Sequence, residues 1–269
     1  MVSNLLETDI ETTLNAAFDD DDSSLLVVDP SAETIVTLIN AAADRDDLPT
    51  LAVLAAEQTL KRVMDDFLVA SRAADLIAAE QLSFRVLTSA VDNSLFVSPS
   101  RVVVLVGVGD NVAALSTEDE AFVASVYTAH DNAFTDASPY QLRTPPISRV
   151  RETLAAEIGQ ASREDFDAVL SSMASDDSIE LDEVTVSLLV AAKNNVLLYD
   201  ISKWGEDVGI ASKATFSRTK TRLEDLGVID TEKVPIDVGR PRLRLKLGDE
   251  RLHGVNTDEL AAHVIEMGA

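Results

Sequence analysis

The 269-residue chain has no cysteine, which excludes disulfides, cysteine-ligated zinc and thiol catalysis. Its hydrophobic content of 46% implies folded cores rather than disorder, and its length allows two of them. The formal net charge is −25, and the longest apolar run, residues 102–108, is far too short to cross a bilayer.

The opening MVSNLLETD has neither the basic start nor the apolar core of a signal peptide, so a soluble cytoplasmic protein without a membrane partner is expected. Acidic residues are spread along the chain instead of forming one tail. Such a coat suits a halophilic cytoplasm, where charge maintains solubility and salt screens the self-repulsion. The charge is also uneven. Residues 1–136 hold 24 acidic and 6 basic residues, whereas residues 201–252 hold 9 and 11, half of all the Lys and Arg. An otherwise acidic protein has kept one basic patch.

In chain order, residues 5–18 read as a helix, followed by the acidic turn 19–22. Residues 25–28 (LLVV) form a buried strand ending at Asp29 and Pro30, and Ser31 caps a helix carrying Ile35, Leu38 and Ile39. A strand at 51–54 precedes a long helix over 57–77 with Leu60, Val63, Met64, Phe67 and Leu68 on its apolar face. Strands follow at 82–87, 95–98, 102–106 and 112–115, then a helix over 117–134. Strands separated by helices imply a mixed, largely parallel sheet, and the closely spaced later strands imply a meander at one edge. Residues 139–146 (PYQLRTPP) break the pattern as a linker, and helices at 148–158 and 163–173 follow before the polar stretch 174–178. The expected organisation is an acidic α/β domain over 1–136, a linker and helical connector over 137–177, an α+β DNA-binding domain over 178–252 and a short helical tail over 253–269.

The functional signal lies in the third of these regions. Helices at 182–194 and 198–208 are followed by the tight turn 209–211, and Ser212 caps a third helix running to Leu226. This is helix-turn-helix spacing, in which the second helix braces the backbone while the third enters the major groove. On the third helix Phe216, Leu223 and Leu226 point inward with Thr219, leaving Ser212, Lys213, Thr215, Ser217, Arg218 and Arg222 outward. Hydroxyls and cations of this kind bond phosphates and base edges. Most charged faces are simply solvated. Here, however, carboxylates are absent until Glu224 and Asp225 at the far end. Strands at 229–234 and 243–247 then frame the tip 235–242 (PIDVGRPR), a wing on which Arg240, Arg242, Arg244 and Lys246 alternate along one face. The plainer reading of these cations is a charged strand edge that blocks aggregation.

The segment from Leu198 to Leu252, LYDISKWGEDVGIASKATFSRTKTRLEDLGVIDTEKVPIDVGRPRLRLKLGDERL, resembles the C-terminal domain of haloarchaeal winged-helix regulators of the TbsP type. LLVVDPSAETI, MDDFLVAS and LRTPPISRVRETLAAEIG are similar to earlier parts of the same family, so the resemblance spans nearly the whole chain. It implies a cytoplasmic archaeal transcription regulator of metabolism and double-stranded DNA as partner. It also implies kinship of the N-terminal domain with the phospholipase-D-like effector domains of TrmB-like sugar-responsive regulators. Lys220 departs from the winged-helix pattern, which commonly has an apolar residue there.

An α/β domain invites an enzyme acting on a phosphorylated or sugar-like substrate as the alternative. The first 106 residues contain no glycine, which removes the Gly-rich phosphate and dinucleotide loops, and no nucleophile elbow or Ser–His pair is present. Carboxylate-only catalysis stays open. His130, His253 and His263 are too scattered for a compact metal motif, and Asp65 and Asp66 point apart on a helix, so no metal or cofactor is expected. Trp204 fits the apolar spacing of its helix and reads as core. The carboxyl ends of the strands, where open α/β sheets bind ligands, place Asp29, Ser31, Ala55, Glu57, Thr88 and Ser89 as candidates, with Asp29, Ser31, Glu57 and Thr88 foremost. The ligand would be a sugar or central-carbon metabolite; a domain that only dimerises fits equally well. A homodimer on a two-fold operator is expected. Residues 148–158, with Val150, Leu154 and Ile158 at four-residue spacing, are the candidate dimer helix unless that stripe packs on its own domain.

Overall fold

The computed structural model describes residues 3–6, 23–45, 49–88, 91–108, 111–175, 181–235 and 241–268. The chain divides into two compact units, Met1–Pro146 and Ile147–Ala269.

The first unit is a seven-stranded sheet in the order β1-β7-β6-β5-β2-β3-β4. Its strands are β1 (Ser3–Leu6), β2 (Ser24–Val28), β3 (Thr50–Ala56), β4 (Leu82–Leu87), β5 (Ser94–Val97), β6 (Val102–Val108) and β7 (Asn111–Thr117). Helices α1 (Ala32–Ala43), α2 (Glu57–Met64) and α3 (Phe67–Ala78) connect β2, β3 and β4, and α4 (Glu120–Asp136) follows β7. The sheet is mixed, but it is not largely parallel: among the described strands only β2–β3 and β3–β4 pair in parallel. The remaining four pairings are antiparallel. Among the described residues, helical crossovers, which parallel pairing needs, occur only between β2, β3 and β4; short turns force β5, β6 and β7 into the expected meander.

The run Leu25–Val28 is buried without alternation because β2 is covered on both faces. Leu25 and Val27 pack with Ile35, Leu38, Val53, Phe84, Phe96 and Val103 on one side. Leu26 and Val28 pack with Leu54, Val97, Val102 and Val123 of α4 on the other.

Two local expectations are corrected. Leu5 and Leu6, read as the start of a helix, lie in strand β1 opposite Ala114 and Ala113. The partner strand is more than a hundred residues away, and local periodicity carries no trace of it. The rest of that helix, residues 7–18, lies outside the described residues, as does most of the polar stretch 174–178. The long helix over 57–77 is two helices, because the Asp66 carboxylate accepts the Val69 N–H at 2.9 Å and starts α3 afresh. The buried register then moves from Leu60, Val63 and Met64 to Val69, Ala70 and Ala73, leaving Phe67 and Leu68 half-buried.

The proline-rich stretch read as a linker is held along the open edge of β4. Val86 donates to Ser138 O at 2.9 Å, Tyr140 to Phe84 O at 3.0 Å, and the Ser71 hydroxyl to Pro145 O at 2.7 Å.

The second unit contains α5 (Ile147–Glu157), α6 (Gln160–Ser175), α7 (Glu183–Lys193), α8 (Leu198–Val208), α9 (Lys213–Asp225), β8 (Ile229–Val234), β9 (Arg242–Leu247) and α10 (Thr257–Glu266). Residues 147–175, expected in a connector, therefore fold with the C-terminal region. Val150 and Leu154 of α5 are fully buried, α5 packs against α6 and α8, and the Trp204 indole donates to Thr153 Oγ1 at 3.0 Å. The stripe proposed for dimerisation is thus occupied by its own unit. Trp204 is core, as its spacing implied. The tail is helical as expected, and Leu260, Ala261 and Val264 bury it against α6. Asp165 ties the corner together, accepting from Lys193, Asn194 and Thr257.

Candidate nucleic-acid interface

Helix α8 ends because Gly209 turns to φ 98°, a left-handed conformation that costs glycine little, and Ile210 N–H then bonds back to Gly205 O at 2.8 Å. Ser212 opens α9, its hydroxyl accepting from Thr215 N–H at 3.2 Å. The two helices cross at Gly205: an added Cβ there would lie 2.3 Å from Cζ of Phe216. Phe216 and Leu223 are fully buried, and Thr219 and Leu226 are half-buried beside them. The opposite face carries Ser212, Lys213, Ser217, Arg218 and Arg222 in the open, with Thr215 half-buried among them. Thr221 is also exposed, a hydroxyl not anticipated on this face.

Lys220 sits where an apolar residue was expected. Its side chain is 12% exposed, and its ammonium meets Glu224 at 2.6 Å while Glu224 accepts from the Thr231 hydroxyl at 2.8 Å. The apolar stem packs inward and the charge is matched, which reconciles lysine with that position.

In the wing, β8 and β9 pair antiparallel with Glu232 opposite Arg244 and Val234 opposite Arg242. Leu245 is fully buried and donates to Val196 O at 2.9 Å, and Leu197 makes an isolated antiparallel bridge to Arg244 on the far side of β9. Arg242, Arg244 and Lys246 alternate along β9 as expected. Arg240 and the tip around it lie outside the described residues.

What the spacing did not reveal is how many of these cations face carboxylates. Lys213 pairs with Glu206 at 2.8 Å, Arg222 with Asp182 at 3.6 Å, Arg242 with Asp200 at 3.6 Å and Lys246 with Glu232 at 2.7 Å. The Lys213 hydrogen bonds hold the Glu206 carboxyl below its ordinary range, and Glu206 raises the Lys213 ammonium in turn. The Arg242 guanidinium also lies over the Tyr199 ring, 4.6 Å from its centroid. Arg218 differs: it donates to Thr215 Oγ1 at 3.3 Å and has no carboxylate partner among the described residues.

In the first unit, Asp29, Glu57 and Thr88 follow β2, β3 and β4 and share the carboxyl end of the three parallel strands. Asp29 has φ 47° and donates its N–H to Leu54 O at 2.8 Å. The Ser31 hydroxyl is engaged in capping α1, 3.1 Å from Thr34 N. Glu57 pairs with Lys61 at 2.6 Å, Thr88 is exposed, Ala55 is fully buried and Ser89 lies outside the described residues. A groove of about 470 Å³ runs between α2 and residues 139–144, lined by Lys61, Asp65, Tyr140 and Arg143. Glu57 borders it; Asp29, Ser31 and Thr88 do not. Among the described residues no His, Asp and Glu cluster is arranged to hold a metal, and no helix is long and apolar enough to cross a membrane.

Residues 2–145 match the family described as transcriptional regulator TbsP-like, N-terminal, and residues 146–265 match transcriptional regulator TbsP-like, C-terminal HTH domain. No curated protein matches the chain. Among solved structures it is similar to TrmBL2, an archaeal chromatin protein described as showing a novel mode of DNA binding, at 15% identity and a TM-score of 0.37. That likeness covers 52% of this chain and 53% of TrmBL2, about half the length of each. The two family matches meet at residues 145 and 146 and run nearly end to end, and the chain belongs to the TbsP-like transcriptional regulators.

Proposed function

We propose that this regulator binds duplex DNA sequence-specifically, with α9 in the major groove, α8 bracing it and the wing on the backbone. The observation that carries this reading is the outward face of α9: hydroxyls and cations from Ser212 to Arg222 with no carboxylate, on a helix locked by Phe216 and Leu223. Ser212, Lys213, Thr215, Ser217, Arg218 and Arg222 are the α9 contacts, and Arg240, Arg242 and Arg244 those of the wing. Arg218 is the base reader, because among the described residues no carboxylate competes for it. A base-edge contact is worth about 1–3 kcal/mol of discrimination. Arg218→Ala should therefore relax preference at one operator position in competition against a randomised duplex pool. A uniform loss across all sequences would remove Arg218 as a reader.

The genes controlled are metabolic. The first unit is a phospholipase-D-like sensing domain without catalysis, answering to a sugar or central-carbon metabolite at the strand ends that carry Asp29, Ser31, Glu57 and Thr88. The family membership and the shared carboxyl edge support this assignment. The protein acts in the cytoplasm as a homodimer, since paired recognition helices read half-sites one DNA turn apart, about 34–36 Å. With α5 committed to its own unit, the pairing surface we assign is the sheet face of β6 and β7, where Val106 is 41% and Leu115 43% exposed. Strands β5, β6 and β7 carry no charged residue, so two chains of net charge −25 meet there with least repulsion. Leu115→Glu should turn a dimer into a monomer by light scattering in concentrated salt. A wild type that is monomeric with and without DNA ends the dimer assignment.

A further inference from the structure

We infer that Glu206, Asp182 and Asp200 are specificity-determining residues: carboxylates that occupy phosphate positions on the DNA-facing surface and make the protein refuse random duplex. The inference rests on the DNA-binding reading above. Glu206 is the clearest case. One carboxylate oxygen accepts the backbone N–H of Lys213 at 3.2 Å, and the other meets the Lys213 ammonium at 2.8 Å. Lys213 is the first residue of α9, so Glu206 fills the place where a helix N-terminus and a flanking cation would hold a backbone phosphate. Asp182 caps α7 through Thr185 N–H at 2.7 Å and turns its second oxygen toward Arg222, 3.6 Å away. Arg222 also donates to the Thr185 hydroxyl at 3.2 Å, which fixes it on that side. Asp200 faces Arg242, whose guanidinium is held from below by the Tyr199 ring.

None of the three carboxylates lies on α9. They come from α8 and from the cap of α7, elements that flank the recognition helix. The paired side chains are roughly half exposed, so these contacts add little to folding. Their effect is on competition. A phosphate must displace the carboxylate to reach the cation, and the displaced carboxylate stays close enough to repel it. Random duplex lacks the matching base edges and is held through its phosphates wherever cations reach them, so it bears the full effect. An operator is held in one register by base edges through Arg218 and the α9 hydroxyls, which no carboxylate of the described residues occupies.

Full-length Glu206→Gln, Asp182→Asn and Asp200→Asn variants test this, since asparagine keeps the capping function at position 182. Asp225→Asn, the same charge change at the far end of α9, is the control. Binding is measured on a random-sequence duplex and on a duplex selected from a randomised pool, across a decade of salt, with thermal melts confirming unchanged folding. Each freed cation should steepen the salt dependence of random-duplex binding by about 0.9, roughly eightfold in affinity over that decade. The preference for the selected duplex should fall accordingly. Slopes and affinities that coincide with those of Asp225→Asn overturn the inference while leaving DNA binding intact. A wild type that binds neither duplex overturns both.

Discussion

Alanine at position 205 should sharply lower the melting temperature of the second unit and weaken DNA binding with it. A Cβ at that position lies 2.3 and 2.4 Å from Cζ and Cε2 of Phe216, distances that no non-bonded carbon pair tolerates. The ring cannot swing aside, because Phe216 is 0% exposed in the core beneath α9. Relief therefore comes only by moving α8 away from α9, which alters the helix-turn-helix angle on which the docking geometry depends. Overpacking of this kind costs about 1–3 kcal/mol. In a unit of this size that corresponds to several degrees in Tm for each kcal/mol. The clash also predicts its own rescue. Phe216→Leu shortens the side chain, so the Gly205→Ala, Phe216→Leu pair should be less destabilised than the sum of the single variants. Additive losses in melts of the four proteins would show that the contact is not the reason for glycine at 205.

The helix-turn-helix and wing were legible because their signals are local. Ser212 caps within three residues, Gly209 ends a helix at its own position, and leucines alternate with cations along β9. The buried faces followed from spacing for the same reason. The edge strand β1 did not, since its ladder is made with β7 and nothing in residues 3–6 names that partner. Asp66 was present as a helix-start signal, but the apolar period ran through it. The α5 stripe looked the same whether it met a second copy or its own core; only the buried Val150 and Leu154, and the Trp204 bond to Thr153, separate the two. The carboxylates around the interface were hidden more deeply. Arg222 and Asp182 are forty residues apart, as are Arg242 and Asp200 within two, and a count of charges in that stretch cannot say which ones touch.

Those pairings sharpen the expected response to salt, which is the largest effect predicted for the whole protein. The screening length is about 10 Å at 0.1 M salt and about 3 Å at 1 M, so dilution exposes 47 acidic residues to one another across the surface. The fold should accordingly gain stability as potassium chloride rises from dilute buffer to molar concentration. DNA binding by cations runs the other way, losing affinity in proportion to the phosphates neutralised. Here that number is small. Lys213, Arg222, Arg242 and Lys246 already face carboxylates, which leaves few cations among the described residues of this surface to displace counterions from DNA. A slope of only about −2 to −3 in log affinity against log salt is expected if two or three phosphates are neutralised. Specific binding should then persist near 1 M, carried by the hydroxyls of α9, by Arg218 and by close packing in the groove, none of which depends on counterion release. Binding isotherms and thermal melts on the same salt series check both halves. A protein most stable in dilute buffer would show that the acidic coat is not an adaptation to salt. A steep loss of specific binding well below 1 M would show that phosphate contacts, and not base-edge bonds, hold the complex together.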